Sequence, residues 1–186
     1  MGDVAEFFSG GTPSTSVQEY YNGNIYWITS GDLNKIRITY VEGRITEKGL
    51  NNSSSKLIKE NTLLIALYGA TAGVTAISKI DAAINQAVLA IIPNNNYSNI
   101  FLFYMLTFLK EWIIFTYTQG GQPNLSGNII KSIESAFPSF KEQTRIATIL
   151  SDMDTEIENL EHKLNKYKQI KQGMMQQLLT GKIRLV

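Results

Sequence analysis

The feature that most constrains this 186-residue chain is an apolar series in its last fifth. From Ile146 to Leu178, positions at alternating steps of four and three residues are apolar, and only Lys171 interrupts them. This spacing is typical of a coiled-coil seam, because it keeps one narrow face of a helix turned towards a partner helix. The apolar members are Ile146, Leu150, Met153, Ile157, Leu160, Leu164, Tyr167, Met174 and Leu178. One helix cannot bury this series alone, so the sequence predicts a helical partner.

Local signals mark both ends of the predicted helix. Ser139, directly after Pro138, forms a capping-box pattern with Glu142, and Gly181 follows the last periodic residues. These signals predict a helix from about Phe140 to Leu179, which at 1.5 Å per residue is about 60 Å long. Such a helix is a strut or spacer and is too long for an ordinary core helix.

The two halves of this helix carry opposite charge. Six acids and only one base, Arg145, lie between Glu142 and Glu161, whereas the six charged residues after Glu161 are all Lys or Arg. Two antiparallel copies would place each acidic half against the basic half of the other copy, so an antiparallel homodimer is favoured. Part of the asymmetry is also what a single helix prefers, since acids stabilise its amino end and bases its carboxyl end.

Length and composition predict one compact domain of about 140 residues followed by the helix. The chain contains no cysteine, which fits a reducing compartment. Its first residues lack the pattern of a signal peptide, and the most apolar run, Ile100–Leu109, is shorter than a membrane span. We therefore expect a cytoplasmic protein without membrane contact.

Short apolar runs that are partly β-branched predict strands, and one longer run predicts a helix. The predicted strands are Ile25–Thr29, Leu63–Leu67, Val74–Ile77 and Ala87–Ile92, and the helix runs from a Ser98 cap to about Tyr117. Strands with segregated helices indicate a mixed α+β domain. The sequence therefore predicts three parts: this domain at 1–138, the helix at 139–181 and a tail at 182–186.

Two groups of polar residues are candidates for binding DNA. The segment from Leu33 to Lys59 contains six bases and two acids, a pattern that fits either phosphate binding or a solvated face. Its candidates for phosphate or guanine contacts are Lys35, Arg37, Arg44, Lys48 and Lys56. Amide side chains suit the edge of adenine, and those in and near one loop are Gln119, Gln122, Asn124 and Asn128.

Motifs for catalysis are missing from the sequence. It contains no glycine-rich nucleotide-binding loop, no histidine cluster for a metal, and no nucleophile with a histidine placed to serve it. The single histidine, His162, is surrounded by charged residues on the predicted helix and is interpreted as solvated. We expect no catalytic residue, metal or cofactor in this chain.

Several short motifs, in their order and spacing, resemble the specificity subunit of type I restriction-modification enzymes. In the domain they are Gly10-Gly11-Thr12-Pro13, Tyr20-Tyr21-Asn22-Gly23 leading into Ile28 and Gly31-Asp32, Gly69-Ala70-Thr71-Ala72-Gly73, Asn85-Gln86-Ala87 and Gly121-Gln122-Pro123-Asn124. In the helix they are Pro138 through Glu142-Gln143, Ile146-Ala147 and Leu150, and then Gln176 through Arg184. The resemblance implies a target-recognition domain that reads double-stranded DNA. It also implies that S-adenosylmethionine, ATP and Mg belong to partner modification and restriction subunits.

The chain departs from that family in length. Members ordinarily carry two recognition domains and two long helices that pair antiparallel, whereas this sequence has one of each. It is therefore expected to work as a homodimer, or else to be a truncated product or fragment. A coiled-coil scaffold without DNA specificity, and a silent fragment, are the alternatives.

Overall fold

The computed structural model describes residues 1–118 and 123–185. Within them, the strands are β1 Ala5–Ser9, β2 Tyr21–Ile28, β3 Arg37–Ile38, β4 Arg44–Ile45, β5 Lys56–Ile58, β6 Leu63–Ala66, β7 Thr75–Ser78, β8 Ala82–Ile84 and β9 Val88–Pro93. The α-helices are α1 Glu47–Asn51, α2 Asn99–Tyr117, α3 Gly127–Ser132 and α4 Phe140–Leu179.

The strands form two mixed sheets. The five-stranded sheet has the order β1-β9-β6-β7-β3 and the four-stranded sheet the order β4-β2-β8-β5. Two pairs, β2 with β8 and β3 with β7, are parallel, and the other pairs are antiparallel. The observed class is α+β, as predicted.

The central strands of the five-stranded sheet are buried on both faces. Side chains alternate across a sheet, so Leu63 and Ile65 of β6 join one core cluster, with Leu102 and Leu106 of α2. Leu64, the residue between them in β6, joins a second cluster that includes residues of the four-stranded sheet. This two-sided burial explains why β6 is a continuous apolar run and not an alternating one.

Helix α2 begins as predicted, with the Ser98 hydroxyl accepting a hydrogen bond from the Phe101 backbone N–H at 3.3 Å. Its inner face is buried in the first core cluster, and the Thr107 hydroxyl bonds that of Thr75 on β7 at 2.7 Å. The whole helix is longer than the apolar run seen in the sequence. Among the described residues it is the one helix that meets the length and composition of a membrane span. The predicted absence of membrane contact stays a prediction.

Helix α4 spans Phe140–Leu179, which confirms the predicted bounds. The Ser139 hydroxyl accepts a hydrogen bond from the Glu142 backbone N–H at 3.3 Å, as a capping residue should. At the other end Gly181 has a φ of +72°, a left-handed conformation that favours glycine and stops a helix. Both ends are thus set by local sequence.

The chain divides into two compact units, Met1–Thr144 and Arg145–Val186. The first unit extends beyond Pro138 because Gln143, in the first turn of α4, is buried. Its side chain accepts a hydrogen bond from Ser98 N and donates one to Pro138 O, each at 2.9 Å. The start of α4 is therefore part of the α+β domain.

Candidate nucleic-acid interface

Two of the sequence motifs, Gly10-Gly11-Thr12-Pro13 and Asn85-Gln86-Ala87, bond to each other and hold the domain together. Gly10 N donates to Asn85 O at 3.2 Å, and the Thr12 hydroxyl donates to Gln86 Oε1 at 2.6 Å. A Cβ atom on Gly10 would lie 1.8 Å from the carbonyl oxygen of Ile84. Glycine is needed here because no side chain fits, so this motif has a structural role.

The Gly69–Gly73 turn meets the segment Pro123–Leu125 at one surface. Gly69 N donates to Pro123 O at 3.1 Å, and Leu125 N donates to Leu67 O at 2.8 Å. Tyr68 and Asn124 form an antiparallel bridge between them. The turn at Ser30–Asn34 completes an open cavity of about 380 Å³, which we call the notch; it is lined by Ser30, Tyr68, Gly69, Pro123 and Asn124. Three segments that are far apart in sequence therefore form one site.

The turn that carries Ser30 is held by its own hydrogen bonds. The backbone N–H and the hydroxyl of Thr29 both donate to Asp32 Oδ2 at 2.8 Å, and the two residues form a capping box. Asn34 donates through its side-chain amide to Gly31 O at 3.0 Å. One oxygen of the Asp32 carboxylate, Oδ2, accepts both of these bonds from Thr29. The notch wall is consequently fixed by the local sequence.

The notch presents neutral polar groups. Tyr68 is 40% exposed, and Asn124 is exposed at the rim. Among the described residues, the side chains of Ser30, Tyr68 and Asn124 have no hydrogen-bond partner, and none of the lining residues is charged. Unpaired hydroxyl and amide groups at an open cavity are available to a polar ligand.

Tyr68 was not singled out from the sequence. It lies between an apolar strand and the Gly69–Gly73 turn, where a single aromatic residue carries no periodic signal. Its position opposite Asn124 arises from pairing between distant segments. The only local signal is an aromatic side chain directly before a glycine-rich turn.

Two of the predicted basic residues come shortly after the Ser30–Asn34 turn in the sequence, and this turn forms one wall of the notch. Lys35 is the residue after the Ser30–Asn34 turn, and Arg37 lies in β3 at an edge of the five-stranded sheet. Both are exposed, and neither pairs with an acid among the described residues. Their charges are available to phosphate.

Arg44 is held within the domain. Its guanidinium group lies over the Tyr26 ring at 3.7 Å from the centroid. Nη1 donates to the carbonyl oxygen of Gly43 at 3.0 Å and also to that of Val41. These contacts fix the loop before β4, and a phosphate contact by Arg44 stays a prediction.

Lys48 and Lys56 lie elsewhere on the domain. Lys48 Nζ bonds Glu19 Oε1 at 2.6 Å, and this hydrogen bond raises the pKa of Lys48 above its usual value. Lys56 is exposed on β5, at the opposite edge of its sheet from β4 and Arg44. Three strand spacings, or about 14 Å, separate those edges. The predicted basic residues are thus spread over several edges of the domain.

The amide candidates have different positions. Asn124 is at the notch, and Asn128 is exposed in the first turn of α3. Gln119 and Gln122 lie outside the described residues. The structure therefore brings one of the four candidates to the notch, and base contacts by all four stay predictions.

The apolar series on α4 is uncovered at its centre. Met153, Ile157, Leu160, Leu164 and Tyr167 are each 52–59% exposed. Met174 is also exposed, whereas Ile146, Leu150 and Leu178 are half-buried. Large apolar side chains in an unbroken exposed row mark a surface for association.

A mixed α+β domain with convergent loops, followed by a helix with an open heptad seam, defines a recognition module on a helical spacer. The family described as type I restriction modification DNA specificity domain matches residues 1–171, and the chain belongs to this family. The predicted resemblance is confirmed. The family is one of DNA specificity domains, in agreement with the prediction of a non-catalytic chain.

Two curated relatives illustrate the similarity. The type I restriction enzyme MjaIX specificity subunit of Methanocaldococcus jannaschii is 36% identical over 168 residues, which cover 84% of this chain and 37% of the relative. The EcoR124I/EcoR124II specificity subunit of Escherichia coli is 29% identical over 161 residues, covering 83% of this chain and 40% of the relative. The chain thus spans about two fifths of the length of these relatives.

The fold also matches a solved structure. The HsdS subunit from Thermoanaerobacter tengcongensis superposes with a TM-score of 0.65 at 19% identity, covering 95% of this chain and 42% of that one. This similarity includes nearly the whole chain. It supports the arrangement of an α+β domain followed by a long helix.

Proposed function

We propose that this chain is a DNA-specificity subunit of a type I restriction-modification system, and that its α+β domain reads one half-site of a bipartite DNA target. The observation that carries this proposal is the convergence of three separate motifs at the notch, together with the unpaired Lys35 and Arg37, which follow the Ser30–Asn34 turn in sequence. Phosphate contacts by basic residues position a protein on DNA, whereas base contacts specify the sequence. The notch offers polar groups for base contacts, and Lys35 and Arg37 offer charges for phosphate contacts.

The catalytic steps belong to partner subunits in this proposal. The chain docks methyltransferase subunits and a restriction subunit, and they supply S-adenosylmethionine, ATP and Mg. The names of the relatives as specificity subunits of restriction enzymes support this division of roles.

The exposed seam supports a homodimer in which two α4 helices run antiparallel. In an antiparallel pair with residue 162 at its centre, Ile146 lies opposite Leu178, Leu150 opposite Met174 and Met153 opposite Lys171. Ile157 then lies opposite Tyr167, and Leu160 opposite Leu164, so all ten positions of the series are paired. A shift by one heptad leaves two positions of each helix without a partner. Maximal burial therefore selects the centred register.

Charge supports the same register. Lys171, the one base in the seam, lies beside the acidic half of the partner helix, within reach of Glu156. A charged residue at a core position reduces stability but specifies register when an acid of the partner accepts it. The outer positions of the acidic half likewise lie near lysines of the partner.

Selection from a pool of randomised duplex DNA tests the proposed function. The full-length chain should enrich an inverted repeat, because a two-fold symmetric dimer presents the same half-site reader twice. A 60 Å helix limits the separation of half-site centres to about 18 base pairs, at 3.4 Å per pair. Enrichment of no sequence at moderate salt would overturn the proposal and favour a scaffold or a silent fragment.

A further inference from the structure

We infer that the notch reads one A·T base pair from the major groove, with Asn124 on adenine and Tyr68 against the thymine methyl group. This inference rests on the proposed function and deepens it. It adds Tyr68 and Ser30 to the residues that determine specificity, and it names the base pair that they select.

The first argument is the chemistry of the lining. Guanine is read mainly by Arg or Lys, and cytosine by Asp or Glu. The described lining residues, Ser30, Tyr68, Gly69, Pro123 and Asn124, include no charged side chain. Adenine is read by an amide, and thymine by apolar contact with its methyl group. The notch has the groups for A·T and lacks those for G·C.

The second argument is the relative position of the two side chains. Opposite residues of an antiparallel bridge project from the same face, with Cβ atoms about 5 Å apart. Tyr68 and Asn124 form such a bridge, so their side chains leave the backbone next to each other. An A·T pair presents adenine N7 and N6, then thymine O4 and the methyl group, in one row across the major groove. An amide and an aromatic ring that start next to each other can therefore reach the adenine end and the thymine end of that row.

The third argument is that the notch is formed before DNA binds. Backbone hydrogen bonds join Gly69 to Pro123 and Leu125 to Leu67, and the Thr29–Asp32 capping box fixes the turn with Ser30. The Ser30 hydroxyl lines the same notch and is without a partner among the described residues, so in this proposal it donates to thymine O4. Little ordering cost then opposes base contact.

The test compares sequence preferences selected from a randomised duplex pool by the full-length chain and its variants. The wild-type half-site should contain an A·T position that Asn124→Ala and Tyr68→Ser each weaken about tenfold, while preference at the other positions stays unchanged. Asn124→Asp keeps the size of the side chain but replaces the amide by a carboxylate, so it should shift the same position towards cytosine. Tyr68→Phe, which keeps the ring, should retain the preference.

Asn96→Ala is the matched control for Asn124→Ala. Asn96 is exposed and follows β9 at the end opposite the notch, since Val88 at the start of β9 pairs with Ala66. This variant should select the wild-type sequence. If the Asn124 and Tyr68 variants also select the wild-type sequence, or lose affinity equally for all DNA, the inference is wrong while the proposed function stands. A wild-type chain that selects no sequence would overturn both.

Discussion

Single basic side chains on the domain differ in what they contact. Lys35 and Arg37 are exposed and have no acidic partner among the described residues, whereas Lys48 bonds Glu19 at 2.6 Å. Charge counting along the sequence gives all of them equal weight. The pairing that distinguishes Lys48 joins residues far apart in the chain, so it becomes visible only in the fold.

This difference leads to a prediction for salt dependence. Lys35→Ala and Arg37→Ala should each weaken binding to cognate and random duplexes alike, and should reduce the slope of log K against log salt by about one unit. Lys48→Ala is the matched control and should change the slope less, because Glu19 already neutralises that ammonium group. Fluorescence anisotropy at several salt concentrations measures all three. Equal slopes for the wild type and the Lys35 and Arg37 variants would remove these residues from the phosphate contacts.

Individual secondary-structure elements were predictable where their signal is local. The start of α2 and both ends of α4 are predictable because Ser98, Ser139 and Gly181 act on neighbouring backbone groups. The apolar runs likewise located β2, β6, β7 and β9.

Five strands, β1, β3, β4, β5 and β8, were not predicted. β3 and β4 have two residues each, which is too short for any periodicity. β1 pairs with β9, more than 80 residues away, beginning with Ala5 opposite Pro93. Such strands depend on distant partners. The notch was not predicted for the same reason, although Asn124 was named as a candidate.

Two glycines give a matched test of element stability. Gly10→Ala should destabilise the domain by about 1–3 kcal/mol, because its Cβ would lie 1.8 Å from Ile84 O, a backbone atom that cannot move freely. Gly173→Ala, inside α4 six residues before its last residue, meets no atom within 4 Å and should stabilise the helix by about 0.5–1 kcal/mol. Urea unfolding followed by circular dichroism measures both. A stabilising Gly10→Ala would contradict the structural role of that motif.

In the proposed homodimer, assembly depends on the α4 seam. Ile157→Asp combined with Leu164→Asp should convert a dimer into a monomer at micromolar concentration, since both positions would bury an unpaired carboxylate against the partner helix. Light scattering reports the mass. The doubly substituted chain should also lose its preference for an inverted repeat over a single half-site.

Asn159→Asp with Asn165→Asp is the control for this pair. It adds the same two carboxylates to exposed positions outside the apolar series and should remain dimeric. A wild-type monomer, or a seam variant with unchanged mass and DNA preference, would refute the homodimer.

The seam and the notch belong to different compact units of the chain. If the seam alone decides which helices pair, two chains with the same α4 but different domains will exchange protomers. Each mixed pair will read two unlike half-sites, so a small set of domains on a common helix specifies more target sequences than there are domains. New specificities then arise by recombination of whole domains at the start of α4, with no change to the pairing surface.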